Sequence, residues 1–255
     1  MIADSSRRNR SARCLAVALQ VALLPCAAAT AQVDNNPGYD RPGLGFTPAV
    51  LQPGDITLEQ GAPDWSHTHG ASAYTADSSL RLGLGHDFEL QLGTGWNWLD
   101  SAEVTANGRS DTTLALKFAR RARGDFSWGL LGSVEFTDGT QTFRAGRRQY
   151  LLGASLSWQH DAGRSTGMYA EVLHGDANSA LLAVNEGWPA TPALALYVEA
   201  AAQHVAGSGY GGVAGAGASW QVTQRVQFDI GARHHIVGHA DAWQGGLGVS
   251  VYFGD

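Results

Sequence analysis

Between Asp55 and Phe253 the side chains alternate apolar and polar with a period of two residues, and this period constrains the fold more than any other feature. In Phe88 to Trp98, one face of an extended segment carries Phe88, Leu90, Leu92, Thr94, Trp96 and Trp98. The other carries Glu89, Gln91, Gly93, Gly95 and Asn97. Further on, Phe126, Trp128, Leu130, Val134 and Phe136 oppose Ser127, Gly129, Ser133, Glu135 and Thr137. Tyr150, Leu152, Ala154, Leu156 and Trp158 oppose Gly153, Ser155, Ser157 and Gln159. The pattern returns at 226–233 and at 243–253. Twelve strands are predicted, at 55–61, 71–84, 88–98, 111–119, 126–137, 149–159, 166–174, 179–187, 193–204, 210–221, 226–236 and 243–253. Segment 179–187 alternates least. An even count returns both ends of a barrel to one side.

A soluble antiparallel sheet with one wet face would alternate in the same way. Three features favour a transmembrane antiparallel up-and-down β-barrel. Aromatics stand at the ends of the apolar stripes: Phe88 with Trp96 and Trp98, Phe126 with Phe136, Tyr150 with Trp158, and Trp243 with Phe253. At about 3.3 Å per residue and a tilt near 40°, their spacing spans roughly 20–25 Å, the height of an apolar band between two aromatic girdles. Short connections such as 85–87 and 223–225 alternate with longer polar ones such as 100–110 and 138–148. The last strand also ends on an aromatic, Phe253, two residues from the terminus. Such an ending suits recognition by the machinery that assembles outer-membrane barrels. These features imply a bacterial outer-membrane location, with membrane lipid as the immediate partner.

Residues 1–31 read as an export signal. Arg7, Arg8, Arg10 and Arg13 precede a short apolar core at 15–24, and Ala29-Thr30-Ala31 is a cleavage pattern. The domain plan is then 1–31 signal peptide, 32–54 periplasmic lead and 55–255 barrel. Cleavage would remove Cys14 and Cys26, so neither a disulfide nor thiol chemistry is available to the mature chain. It would leave 13 of the 17 basic and 22 of the 23 acidic residues, moving the net charge from −6 to −9. That balance opposes nucleic-acid binding.

With the apolar faces in lipid, the polar faces line a lumen. The candidates there are Glu59, Arg81, Glu89, Gln91, Asn97, Lys117, Glu135, Glu171, Glu199, Gln203, Gln227, Asp229, Arg233 and Gln244. Mixed charges in a narrow interior must pair, because an unpaired buried charge is expensive. Two arrangements meet that demand: a plug-like network that fills the lumen, or a narrow polar path. Inward glycines (Gly93, Gly95, Gly153, Gly231, Gly246, Gly248) leave space. Pairs His67/His69 and His234/His235, with His239, invite a metal reading, but no carboxylate stands at suitable spacing, so neither metal nor cofactor is expected. Serine–histidine combinations are loose (Ser250 with His234, His235 or His239; Ser208 with His204). No nucleophile elbow, phosphate loop or His-Glu-x-x-His motif occurs, and no enzyme is expected. A passive channel is favoured over a structural barrel without transport, and over a lipid-modifying enzyme.

The lead, Gln32 to Pro53, is rich in Pro, Gly and Asn and reads as a loose periplasmic tail. Its Asp40-Arg41-Pro42-Gly43, followed by Pro53-Gly54-Asp55-Ile56-Thr57-Leu58-Glu59-Gln60-Gly61, resembles the opening of the phenol meta-pathway family of outer-membrane transporter-like barrels. The turn Gly85-His86-Asp87-Phe88 is similar to turns that recur in that family. The resemblance implies passage of small hydrophobic, often aromatic, molecules. It names no permeant.

Overall fold

The computed structural model describes residues 36–68 and 70–254. The export signal, both cysteines, the first residues of the lead and His69 lie outside the described residues. Fourteen strand segments are present: β1 Ile56–Gly61, β2 Asp64–Thr68, β3 Ala71–Gly85, β4 Phe88–Asp100, β5 Thr105–Arg109, β6 Thr113–Arg123, β7 Phe126–Glu135, β8 Gln149–Gln159, β9 Ser165–His174, β10 Ser179–Thr191, β11 Leu194–Val205, β12 Gly209–Thr223, β13 Val226–Gly238 and β14 Trp243–Phe253. β1 and β2 form one stave between β14 and β3, interrupted at Ala62-Pro63 where proline offers no N–H to the ladder. β5 and β6 likewise form one stave beside β4, interrupted at 110–112. The result is a closed antiparallel barrel of 12 strands.

Closure is made by β1 pairing with β14, from Ile56 opposite Phe253 to Gly61 opposite Gly248. No sheet edge is left along this seam. Hydrocarbon offers no partner to an open edge, so closure is a condition of crossing a bilayer. Strand positions follow the sequence closely. The differences are the second segment of the first stave, which 55–61 leaves out, the segment β5, which lies within the expected connection 100–110 and pairs with β4, and the length of β10, which runs on to Thr191. In β10 the pairing with β11 continues past Gly187 through Trp188 and Pro189 before the register shifts.

Register sorts the two faces. Leu58 lies opposite Leu80, Leu80 opposite Leu92, Leu92 opposite Leu114, and Leu114 opposite Val134, so one outward row crosses five staves. The exposed large apolar side chains form a band all round the barrel that includes Leu116, Leu130, Leu152, Val172, Leu182, Val198, Ile230 and Leu247. A continuous apolar exterior of this extent is incompatible with water and fits lipid tails. Of the aromatics expected in the girdles, Phe88, Trp96, Trp98, Phe126, Tyr150, Trp243 and Phe253 are exposed, while Phe136 and Trp158 are half-buried. At the end that holds the chain's last strand residue, Phe88 packs on Phe118 at 5.1 Å, Phe118 on Trp128 at 5.6 Å, and Phe126 on Trp158 at 5.2 Å between ring centroids.

Turns at the terminal end are short. At His86-Asp87 both residues have positive φ (53° and 67°), the geometry of a twisted two-residue hairpin. Every turn at that end but 160–164 has two residues, whereas at the other end 101–104, 175–178, 206–208 and 239–242 have three or four and 136–148 is the longest. Outer-membrane barrels carry short turns on the periplasmic side and longer loops outside. The terminal end is therefore periplasmic and the loop end external.

Facing can be tested directly. Leu130→Arg, on the lipid side, should cost about 2–4 kcal/mol of folding free energy near the bilayer midplane. Ser133→Arg, pointing inward, should cost much less. Urea unfolding in liposomes measures both, and equal costs would mean that the faces are misassigned.

Candidate functional site

The lumen is the candidate site, and its central feature is the segment that precedes β1. Residues 36–55 do not trail away as the loose tail their composition suggests. They enter the barrel from the terminal end, reach a tip at Gly43-Leu44-Gly45-Phe46, and return. Tyr39 and Leu51 are buried with Tyr252. Phe46 is buried with Tyr169, Ala183, Ala201 and Val213, and Leu44 packs against this cluster. The Phe46 ring meets Tyr169 edge-on at 5.7 Å, and Lys117 Nζ stands 5.4 Å from its centroid.

The wall is cut to receive this segment. Two leucines interrupt the polar face of their strands: Leu131 on β7 and Leu151 on β8. Leu131 packs against the Phe46 cluster, as does Leu181 on β10. A side chain at Gly129 or Gly153 would press on the Phe46 ring. A side chain at Gly83 would overlap the Gln52 carbonyl, and Gly45, with φ +97°, lies flat against the Tyr169 ring. Of the space expected from inward glycines, Phe46 and Tyr169 take that beside Gly153, Arg41 that beside Gly248, and Asp64 that beside Gly246.

Three wall carboxylates accept backbone N–H groups of the segment. Glu59 accepts from Asp40 at 2.9 Å and from Arg41 at 2.8 Å. Glu199 accepts from Leu44 at 3.0 Å, and Glu89 from Leu51 at 3.0 Å. Two ion networks complete the hold. In the first, Arg81 pairs with Glu59 at 2.6 Å and Glu89 at 2.8 Å, and Lys117 pairs with Asp40 at 2.9 Å. Arg81, Lys117 and Glu89 are 0% exposed. Gln91 donates to both Asp40 and Glu89 at 2.8 Å. Burial alone would raise the Asp40 carboxyl, but Arg81 and Lys117 outweigh it and hold Asp40 below its ordinary value. In the second network, Arg41 grips Asp64 with two bonds, at 2.9 and 3.0 Å, and pairs with Asp229 at 3.2 Å. Gln227 donates to the Arg41 carbonyl at 3.1 Å. Beside them Arg233 pairs with Glu199 at 2.7 Å.

The remaining candidates lie higher, toward the loops. Asn97 accepts from Thr75 and donates to Ser110. Glu135 accepts from Gln149 at 2.7 Å, and Glu171 from Tyr169 at 2.5 Å. Gln203 donates to the His239 carbonyl, and Gln244 lines a cavity of about 260 Å³ beside Arg41 and Arg233. A larger cavity, about 660 Å³, opens above the tip. Its floor is Asp40, Gly43 and Phe46, and its walls include Leu131, Leu151 and Glu171. Loop 136–148 folds over one side. There Asp138 accepts from the Thr112 backbone and side chain, and those bonds hold its carboxyl below its ordinary value. The loop-end histidines bond locally: His67 with Ser72, His234 with the Ala242 carbonyl and His235 with the Gly238 carbonyl. Ser250 is buried on the inner face of β14 near the terminal end, away from all of them.

No protein-family model matches the chain, and no curated protein matches it. Solved structures do. The NanC porin superimposes with TM-score 0.54 at 10% identity, over 78% of this chain and 100% of that one. The KdgM porin, solved in complex with disordered oligogalacturonate, gives 0.52 at 13% identity, over 78% and 99%. The β domain of the Bordetella autotransporter BrkA gives 0.50 at 12%, over 78% and 98%. The chain has the fold of an outer-membrane porin-like barrel. At these identities the likeness is one of architecture. The inner segment and its contacts rest on this chain's own geometry.

The first network should behave as one unit. Arg81→Met leaves Glu59 buried without its cation and Glu89 with Lys117 alone, at 3.5 Å, and should cost about 3–5 kcal/mol. Adding Glu59→Gln and Glu89→Gln should restore much of that loss. Unfolding midpoints of the single and triple variants decide it; costs that simply add would show that these groups do not act together.

Proposed function

We propose that the protein is an outer-membrane channel for small molecules, with its inner segment setting how freely they pass. One observation carries the reading: a cavity at the loop end stands directly on a segment that is held by side chains rather than built into the sheet. Its backbone meets the wall ladder only near its end, where Gly54 donates to the Gly83 carbonyl at 2.9 Å. Elsewhere side chains make the hold: the ion pairs of Asp40 and Arg41, the wall carboxylates Glu59, Glu199 and Glu89, the Tyr39 hydroxyl on the Arg225 carbonyl, Gln227 on the Arg41 carbonyl, and the packing of Phe46 and Leu51. Such a segment can shift without opening the barrel.

The permeant class we favour is small and partly apolar. Support comes from the apolar wall of the cavity at Leu131, Leu151, Leu181 and Phe46, and from the resemblance of Asp40-Arg41-Pro42-Gly43 and its sequel to the meta-pathway barrels. The oligogalacturonate in the KdgM structure is a polyanion. A lumen edged with carboxylates gives no reason to carry that ligand over. The C-terminal strand ending at Phe253 supports insertion by the barrel-assembly machinery.

Liposome swelling tests the reading. The full chain should admit at least one class among sugars, amino acids and small aromatic solutes. Asp40→Asn with Arg41→Ala, which cuts the ion pairs of the inner segment, should raise uptake several-fold while the barrel keeps its heat-modifiable gel mobility. Failure of every solute to enter, with either protein, would remove the channel assignment.

A further inference from the structure

The lumen cations and carboxylates are unevenly matched. Arg81 and Lys117 are committed to Glu59, Glu89 and Asp40, Arg41 to Asp64 and Asp229, and Arg233 to Glu199. Four carboxylates that line the larger cavity have no ion pair among the described residues; Asp111 is buried and taken up by the backbone N–H groups of Gly139 and Ala145, which leaves three facing the open half. Asp77 and Glu171 line the larger cavity, as does Glu135. Glu135 receives one amide N–H and Glu171 one hydroxyl, and no ion pair reaches any of the three among the described residues. They stand on β3, β7 and β9, so they approach the cavity from different staves. The same cavity carries Leu131, Leu151 and Leu181.

Unneutralised charge in a narrow, low-dielectric passage focuses the field along its axis. It concentrates ions of opposite sign and repels those of like sign. Charged side chains lining a pore set its selectivity in this way. A solute that also offers an apolar body can lie on the leucine wall while its charge faces the carboxylates. Cavities of some 300–1,000 Å³ with an apolar lining and a few placed polar groups are the usual form of small-molecule sites. The volume here, about 660 Å³, falls in that range.

From these observations we infer that the lumen selects cations over anions, with Asp77, Glu135 and Glu171 as the selectivity-determining residues and small organic ammonium ions as the permeant class. This rests on the channel reading above and deepens it. The test uses the full chain in planar bilayers under a potassium chloride gradient. The zero-current potential should carry the sign of a cation-selective pore. In liposomes at neutral pH, an arylalkylammonium ion such as benzylammonium should enter several-fold faster than an arylalkyl carboxylate of about the same size. D77N/E135Q/E171Q, which keeps shape and removes charge, should shift the potential toward zero and level the two uptake rates. Conductance that is anion-selective, or selectivity that survives the triple substitution, would overturn the inference and leave the channel standing. Absence of any conductance and any uptake would overturn the channel reading, and this inference with it.

Discussion

A backbone amide or carbonyl in hydrocarbon has no water to bond, so every such group on the lipid side must find its partner within the sheet. That demand explains the closure of β1 on β14, and the alternation that follows from it. Once the barrel is closed, each strand has one face for lipid and one for the lumen. Register then decides everything else: a slip of one residue would turn the Leu58–Leu80–Leu92–Leu114 row inward and bring Arg81 and Glu89 into lipid.

The inner face has its own constraint. Arg81, Lys117, Glu59 and Glu89 lie where no water reaches them, and charges so placed must pair or cost several kcal/mol each. The wall alone does not suffice, since Lys117 stands 3.5 Å from Glu89 while that carboxylate also serves Arg81. Asp40 supplies the missing anion. Arg41 does the reverse for Asp64 and Asp229. The inner segment thus completes the electrostatics of the wall and fills its glycine-lined hollows. Inner segment and barrel are one packing unit.

Strand order and barrel closure were legible because a two-residue period maps directly onto the two sides of a barrel wall. The path of residues 36–55 was not. Its turns at Asn36-Pro37-Gly38 and Pro42-Gly43 carry no periodicity, and a Gly- and Pro-rich stretch looks the same whether it floats or packs. Two signals pointed to it nonetheless. Tyr39, Leu44, Phe46 and Leu51 are large apolar residues in a supposed tail, and Leu131, Leu151 and Leu181 are large apolar residues on the inward face. Leu44 and Phe46 meet Leu131 and Leu181 in one cluster, and Tyr39 and Leu51 meet Tyr252 in another. Pairing across such distances, as between Arg41 and Asp229, has no trace in local pattern.

Hydrogen exchange of the folded, membrane-inserted protein, followed over residues 39–53, tests the central claim that this segment is part of the lumen's packing. Four of its backbone N–H groups, those of Asp40, Arg41, Leu44 and Leu51, are bonded to wall carboxylates. Their exchange should be slowed to an extent approaching that of the neighbouring strands. Exchange at the rate of an unstructured peptide, while the strands stay protected, would contradict the account.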